Sequence, residues 1–454
     1  MDLKTKKKYY NLCDPYESLK PDDKRNVDLD CFGEEGGRPV RGIKWVDRLL
    51  KEITFPDRPI YKLFTGHGGS GKTTEFKKLA ERLYDPEECN LFPVLIDAEE
   101  IIDLENPIAV PDIIATIVYF TEKEIIKEEG GDTEKALDEG YLKRLWNWMK
   151  NTDIELNKAE LTIPSAGKLV CEMKTRPKLR QHVRSIIASN FSGFIREAKD
   201  ELISLNANVV QKFGRDGIVI IFDSLEKLEG TSKNWFDVLE SAEIVFKVNA
   251  AYMRLPVHVI YTVPPALSTR IADIDFMPMI KVCDINRNRH EPGLAAAREL
   301  ISRRAPEDIM KELFGHDSRD RIDDLILWSG GYPRDILHML RKIILVNDYP
   351  LSDSDFEHII ADMRNQYRRI ITGDALHWLA NVATTKDLTT EDDVHVKVVD
   401  RMLNQHVVLS YINKDSWYDL HPTIYQIPII KKAIQDLEEK LERGAKNHEG
   451  SEST

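Results

Sequence analysis

Tyr61-Lys62-Leu63-Phe64-Thr65-Gly66-His67-Gly68-Gly69-Ser70-Gly71-Lys72-Thr73-Thr74 joins a short apolar run to the start of an amphipathic one. Gly66 to Thr73 has the spacing GxxxxGK[ST]. Glycines at Gly66, Gly68, Gly69 and Gly71 let backbone N–H groups turn inward around phosphate oxygens, with His67 and Ser70 between them. Lys72 is then placed to reach β- and γ-phosphates, and the Thr73 hydroxyl to ligate Mg²⁺. The spacing predicts a strand over 61–65 and a helix over 72–84, whose N-terminal dipole favours an anion. Leu91-Phe92-Pro93-Val94-Leu95-Ile96-Asp97 reads as a second strand. Strand, helix, strand at this spacing is a βαβ unit and predicts a parallel sheet. The implied ligand is ATP with Mg²⁺, held by residues from Gly66 through Lys72, Thr73 and Thr74. One rival fits the glycines alone: a GxGxxG dinucleotide site with Asp97 as its acid. It leaves Lys72 and Thr73 unexplained.

Further along, Gly217-Ile218-Val219-Ile220-Ile221-Phe222-Asp223 is a continuous apolar run ending in an acid, as expected of a strand buried on both faces. Asp223 is the second candidate Mg²⁺ residue. Three residues on, Glu226 is the candidate general base for an attacking water. Val257 to Thr262 reads as a fourth strand and Ile280 to Ile285 as a weaker fifth. From Ile113 to Phe213 the pattern is helical and charged, with a strand signal only at Ala159 to Ile163. This is a helical insertion in the α/β core. Its Arg176-Pro177-Lys178-Leu179-Arg180 run is a candidate contact surface, although a charged helix start is the plainer reading.

Residues 1–38 carry little periodicity and read as an irregular leader. Helical patterns run from Gly293 to Val346, broken at Ser329-Gly330-Gly331-Tyr332-Pro333. Helices at Phe356 to Ile371, Ala375 to Ala383 and Asp392 to Asn404 precede a hairpin of Val407 to Ile412 and Ser416 to Leu420. Helices followed by a hairpin predict a winged helix. The expected organisation is a P-loop NTPase core with a parallel sheet over 39–285, a helical lid over 286–350, a winged helix over 351–432 and a polar tail over 433–454, disordered from 443.

The chain has 454 residues and a net charge of −13. Such acidity disfavours general affinity for nucleic acid, whose phosphates are met by Lys and Arg. No run approaches the roughly 18 apolar residues of a membrane span. The start, Met1 to Tyr10, lacks the apolar stretch of a secretory signal. Cys13, Cys31, Cys89, Cys171 and Cys283 are scattered and odd in number, which fits neither a zinc site nor a disulfide framework but fits a reducing cytoplasm.

The sequence resembles the AAA+ ATPases of the initiator (origin-recognition) type and the related STAND signalling ATPases, from Pro39 to about Lys432. The resemblance is carried by Gly66 to Thr73, by Asp223-Ser224-Leu225-Glu226, by the strand ending at Thr262, by Gly331-Tyr332-Pro333-Arg334 and by the terminal hairpin. It is similar in particular to prokaryotic ATP-binding proteins with a GHxGSGK[ST]TE loop and a WYDLHP-like strand, here Trp417 to Pro422. These are regarded as regulatory modules of mobile or defence loci. The resemblance implies that Thr262 reads the γ-phosphate, that Arg334 approaches the phosphates from the lid, that Pro333 packs on the nucleotide, and that Val40 and Arg41 line the adenine pocket. Two departures stand out. Ser224 follows Asp223 where the family has Glu, leaving Glu226 as the nearby base. No arginine finger is evident, although Arg254 and Arg270 flank the Thr262 strand.

Between Asp374 and Ile430 there are eight acids and four bases, a net of −4. The presumed recognition helix begins Glu391-Asp392-Asp393, where a DNA reader would carry neutral or basic residues. Two functions are therefore expected in order of preference. One is an ATP-binding, slowly hydrolysing ATPase whose nucleotide state switches core, lid and winged helix, controlling a protein partner or self-assembly. The alternative is an initiator-like ATPase that loads onto DNA. A metabolic kinase of this fold needs no winged helix.

Overall fold

A computed structural model describes residues 1–33, 37–133, 137, 140–152, 165–316, 318–389 and 396–451. They form two units: Val46–Thr65 with Glu75–Phe276, and Met1–Trp45 with Gly66–Thr74 and Met277–Thr454.

The first of these units carries a five-stranded parallel sheet: β1 (Tyr61–Thr65), β2 (Phe92–Asp97), β3 (Ile218–Asp223), β4 (His258–Thr262) and β5 (Ile274–Phe276), in the order β2-β3-β4-β1-β5. β3 is buried at every residue, as its unbroken Ile-Val-Ile-Ile-Phe run requires of a central strand. β2 alternates buried and half-buried residues and tolerates Pro93, because an edge strand has one row of N–H groups without a ladder to complete. This is a P-loop NTPase α/β sheet, in which one strand, β4, separates the loop-bearing β1 from the acid-ending β3. The dinucleotide-binding rival is corrected here. It needs the strand of Asp97 beside β1, whereas β2 lies three positions away, about 14 Å at ordinary strand spacing.

Between β2 and β3 run α4 (Val110–Glu128), α5 (Tyr141–Thr152), α6 (Leu169–Thr175), α7 (Pro177–Ser189) and α8 (Phe191–Phe213). Their apolar faces share one core with the sheet, including Ile113, Ile117, Leu179, Val183, Leu202 and Ile220. α8 ends on Gly214 in the left-handed conformation. The strand signal at Ala159 to Ile163 lies outside the described residues.

In the other unit, α1 (Leu3–Leu12) replaces part of the expected irregular leader. Asp2 caps it by accepting the Thr5 N–H at 2.7 Å. Four lysines mask its small apolar face, and tertiary contacts rather than periodicity order it. Tyr9 and Cys13 join the unit's core, and the Arg341 guanidinium lies 3.8 Å from the centre of the Tyr10 ring. The strand expected at Ile280 to Ile285 is also corrected. The fifth strand is the three-residue β5, and the later segment spends its hydrogen bonds elsewhere. Met279 N–H goes to Ser410 O (2.9 Å), Ile280 N–H to Gly331 O (3.3 Å) and Lys281 N–H to Val40 O (3.1 Å).

Helices follow as α10 (Glu291–Ser302), α11 (Glu307–Phe314), α12 (Ser318–Ser329), α13 (Pro333–Ile344), α14 (Asp353–Arg368), α15 (Leu376–Thr385) and α16 (Val396–Asn404), after α2 (Trp45–Thr54), α3 (Lys72–Tyr84) and α9 (Trp235–Glu243) of the preceding chain. The antiparallel hairpin of β6 (Val408–Ile412) and β7 (Ser416–Leu420) turns at Asn413 to Asp415. The expected start of its preceding helix, Glu391 to Asp393, lies outside the described residues. Residues 443–451 of the tail expected to be disordered are instead helical, in α17, which runs from Pro428 to Ser451; 452–454 lie outside the described residues. Among the described residues no helix is long and apolar enough to cross a membrane.

Candidate functional site

The loop Gly66 to Gly71 leaves β1 at Thr65, whose hydroxyl donates to Val263 O beyond the end of β4 (2.6 Å). Gly69 and Gly71 have φ of +88° and +102°, a region side chains rarely adopt. A Cβ on Gly69 would also run into the Arg334 guanidinium. The loop carbonyls accept from nearby donors. Lys72 Nζ donates to Gly66 O at 2.8 Å and to His67 O at 3.0 Å. Ser70 N–H donates to His67 O, also at 3.0 Å. The Tyr332 hydroxyl donates to Gly68 O, and Arg41 Nη2 to Ser70 O. Lys72 is only 2% exposed.

Three cations, Lys72, Arg41 and Arg334, therefore converge on one loop. Two histidines stand among them. His67 packs edge-on against His406, ring centroids 5.3 Å apart, and His406 packs in turn against Tyr332 at 5.4 Å. Burial, reinforced by the Lys72 charge, pushes His67 down to about 3. Burial, then the neighbouring His67 ring and the Arg334 and Lys72 charges, holds His406 well below the usual imidazole range. Both rings are neutral near pH 7, so they sit beside the cations without adding to their repulsion.

Val40 is buried and donates its N–H to Phe32 O (3.0 Å). Arg41 also reaches the Met277 sulfur at 3.7 Å. Pro333 is buried and opens α13, a position where its missing N–H costs nothing. Tyr332, immediately before it, and His406, between α16 and β6, are loop partners that the sequence reading did not assign. A single histidine between a helix and a strand carries no signal of its own.

The second set of candidates lies at the end of β3. Asp223 is 2% exposed, and its Oδ1 accepts the Ser224 N–H at 2.8 Å. Ser224 has φ +67°, a conformation that side chains adopt at a cost and that recurs at functional turns. Glu226 is buried in the short turn Leu225–Lys227. The Thr262 hydroxyl holds this turn, accepting Leu225 N–H at 2.8 Å and donating to Phe222 O at 3.3 Å. Asp97, the register partner of Asp223, caps residues 98–101 by accepting Glu99 N–H at 3.0 Å. Hydroxyl and carboxylate oxygens, as on Thr73 and Asp223, are the donors Mg²⁺ prefers.

The remaining arginines have local employment. Arg254 lies 5.0 Å from the centre of the Tyr61 ring, at the start of β1 rather than its loop end, and Arg270 pairs with Glu243 at 2.7 Å. In the candidate surface run, Arg180 pairs with Asp103 (2.8 Å) and Arg176 with Glu172 (3.3 Å).

No protein-family model matches the chain, and no curated protein is significantly similar to it. Among solved structures it is similar to an Aeropyrum pernix ORC2 protein. The ADPNP–ADP complexes show 11% identity over 87% of this chain and 93% of that one, with a TM-score of 0.35. The ADP form shows 12% identity over 91% and 98%, with a TM-score of 0.36. CDC6P from Pyrobaculum aerophilum shows 12% identity over 86% and 92%, with a TM-score of 0.30. Likenesses of this degree assign neither a family nor an activity, and the fold stands on the chain's own sheet order.

Proposed function

We propose that this chain is an ATP-binding, slowly hydrolysing regulatory ATPase of the AAA+/STAND-like kind, in which the nucleotide sets the arrangement of lid and hairpin. The observation that carries the proposal is the grip on the phosphate loop. Tyr332 and Arg334 from α13 and its approach, and His406 from the base of the hairpin, all meet Gly66 to Gly71.

ATP phosphates entering this cluster would meet the positive charges of Lys72, Arg41 and Arg334. Lys72 then exchanges two neutral carbonyls for phosphate oxygens, a stronger, charge-assisted bond. Thr73 and Asp223 are the proposed Mg²⁺ residues and Glu226 the proposed base. Thr262 acts through the turn it holds. Val40 and Pro333 supply apolar walls for the base, and Thr74 completes the polar start of α3. Because the loop's partners come from the lid and the hairpin, any rearrangement the phosphates impose is felt in both.

The DNA-loading alternative needs a free hairpin. Here Leu409, Tyr411 and Trp417 pack with Met279 and Tyr332 in a small core. Tyr411 donates to Gly330 O at 2.7 Å. At the tip, Arg38 Nη1 donates to Asn413 O at 2.5 Å and Lys281 Nζ to Asn413 Oδ1 at 2.9 Å. These contacts, with the net charge of −4 over 374–430, favour an internal latch acting on a protein partner or on self-assembly.

Equilibrium binding of ATP to the full chain tests the site. Lys72→Ala is expected to weaken binding about a hundredfold, as loss of a charged hydrogen-bond donor should. Undiminished affinity refutes the proposal. ATP-dependent, salt-sensitive binding to duplex DNA would replace the latch reading with the loading one.

A further inference from the structure

Arg334 and His406 grip the loop from distant parts of the sequence, yet a buried pair joins them. Asp335, next to Arg334, is buried and accepts the Tyr367 hydroxyl of α14 on Oδ2 at 2.9 Å. The same Oδ2 lies 3.0 Å from His421 Nε2, a close but bent approach. His421 directly follows β7, is fully buried and stacks on the Tyr367 ring at 4.3 Å. Its Nδ1 accepts the Thr423 N–H at 3.4 Å. The Thr423 hydroxyl lies closer to Nδ1, at 2.9 Å; with Nδ1 accepting from both, the one proton of the neutral ring is on Nε2 and faces Asp335. The His421 backbone N–H donates to the carbonyl of Val407, the residue after His406, at 2.9 Å. The circuit is closed: loop, Arg334, Asp335, His421, Val407, His406, loop.

We infer that Asp335 and His421 are positioning residues that hold Arg334 and His406 on the phosphate loop as one body, so that neither is lost or gained by the nucleotide alone. The inference rests on the nucleotide site proposed above. A buried carboxylate is costly without donors. If α13 swung away from the hairpin, Asp335 would lose its imidazole partner, and if the hairpin left alone, His421 would face no acceptor. The lid and the hairpin base therefore release the loop together. A first-turn aspartate that merely capped α13 would turn its oxygens to backbone N–H groups; Asp335 turns Oδ2 to Tyr367 and His421 instead.

The test is ATP and ADP affinity of the full chain in Asp335→Asn, His421→Leu and His421→Gln, each alone and combined with Arg334→Ala or His406→Ala. Urea midpoints accompany each variant. Asp335→Asn keeps the side-chain shape and remains informative if His421→Leu does not fold. Asp335→Asn and His421→Leu are each expected to weaken ATP binding about tenfold, the scale of one charged hydrogen bond. Adding Arg334→Ala or His406→Ala should then cost less than about twofold more, since coupled residues are not additive. His421→Gln, whose amide nitrogen reaches the Nε2 position, should restore most of the affinity. Wild-type affinity in Asp335→Asn, or full additivity of Arg334→Ala in that background, overturns the inference and leaves the pair a core contact. If Lys72→Ala weakens binding as expected while Asp335→Asn does not disturb it, only this inference fails. If Lys72→Ala binds normally, the nucleotide site fails and takes this inference with it.

Discussion

The loop after β1 and the turn after β3 are both built where a parallel strand ends, but they are held in opposite ways. The turn at Asp223 to Glu226 is fixed by neighbours on its own sheet: the Thr262 hydroxyl, and a hydrogen bond from Ser224 to the adjacent carboxylate. The loop at Gly66 to Gly71 depends on Arg41, Tyr332, Arg334 and His406, residues spread across most of the chain. The acid end is thus a fixed fitting, and the phosphate end is conditional on the rest of its unit. An enzyme needing only to hydrolyse would gain from two fixed ends. A switch gains from one of each.

The sharpest break comes on the acid side. Glu226→Gln is expected to slow ATP turnover at least about a hundredfold while leaving ATP affinity in place, the signature of a lost general base. An unchanged rate in a phosphate-release assay removes Glu226 from the mechanism. A smaller effect is expected from Thr262→Val. It strands the buried Leu225 N–H and should cost about 2 kcal/mol of stability, read as a lowered denaturant midpoint. Lost nucleotide affinity with an unchanged midpoint would instead put Thr262 against the phosphates.

The gentlest test is on the loop side and uses pH. His67 is held neutral down to about 3 in the folded chain, while an unfolded imidazole titrates near 6.5. The unfolded state therefore binds the extra proton as pH falls below about 6.5. Stability is fully present above that value and declines toward 3, by up to about 1.4 kcal/mol per pH unit. His406, also depressed, contributes with the same sign. The difference in unfolding free energy between pH 7.5 and 5.5 should shrink in His67→Asn. Equal slopes in the two proteins would show that the loop does not shield this ring.

What could be read from the residues follows the same division. GxxxxGK[ST] and the apolar run into Asp223 are contiguous, and their chemistry is written where it acts. The helical stretch ending at Phe213 and the hairpin at Val408 to Leu420 announced themselves by period and turn. β5 was missed because three residues hold no periodicity, and 280–285 imitated a strand while Ile280 and Lys281 bond to Gly331 and Val40. α1 hid its packing face behind lysines. His406 was unreadable for a stronger reason: its meaning exists only once the chain has brought it to His67.

The route from β2 to β3 has a consequence of its own. Phe92 pairs with Ile218, and the two strands are parallel neighbours. Such a crossover requires only a dozen or so residues and one helix. α8, with its 23 residues, could serve as that helix, and α4 through α7 are surplus to the topology. Lengthening a loop adds little free-energy cost, roughly 0.6 kcal/mol for each doubling. The strand connection thus fixes neither the number of these helices nor their solvent-facing surface; what constrains them is the core their apolar faces share with the sheet.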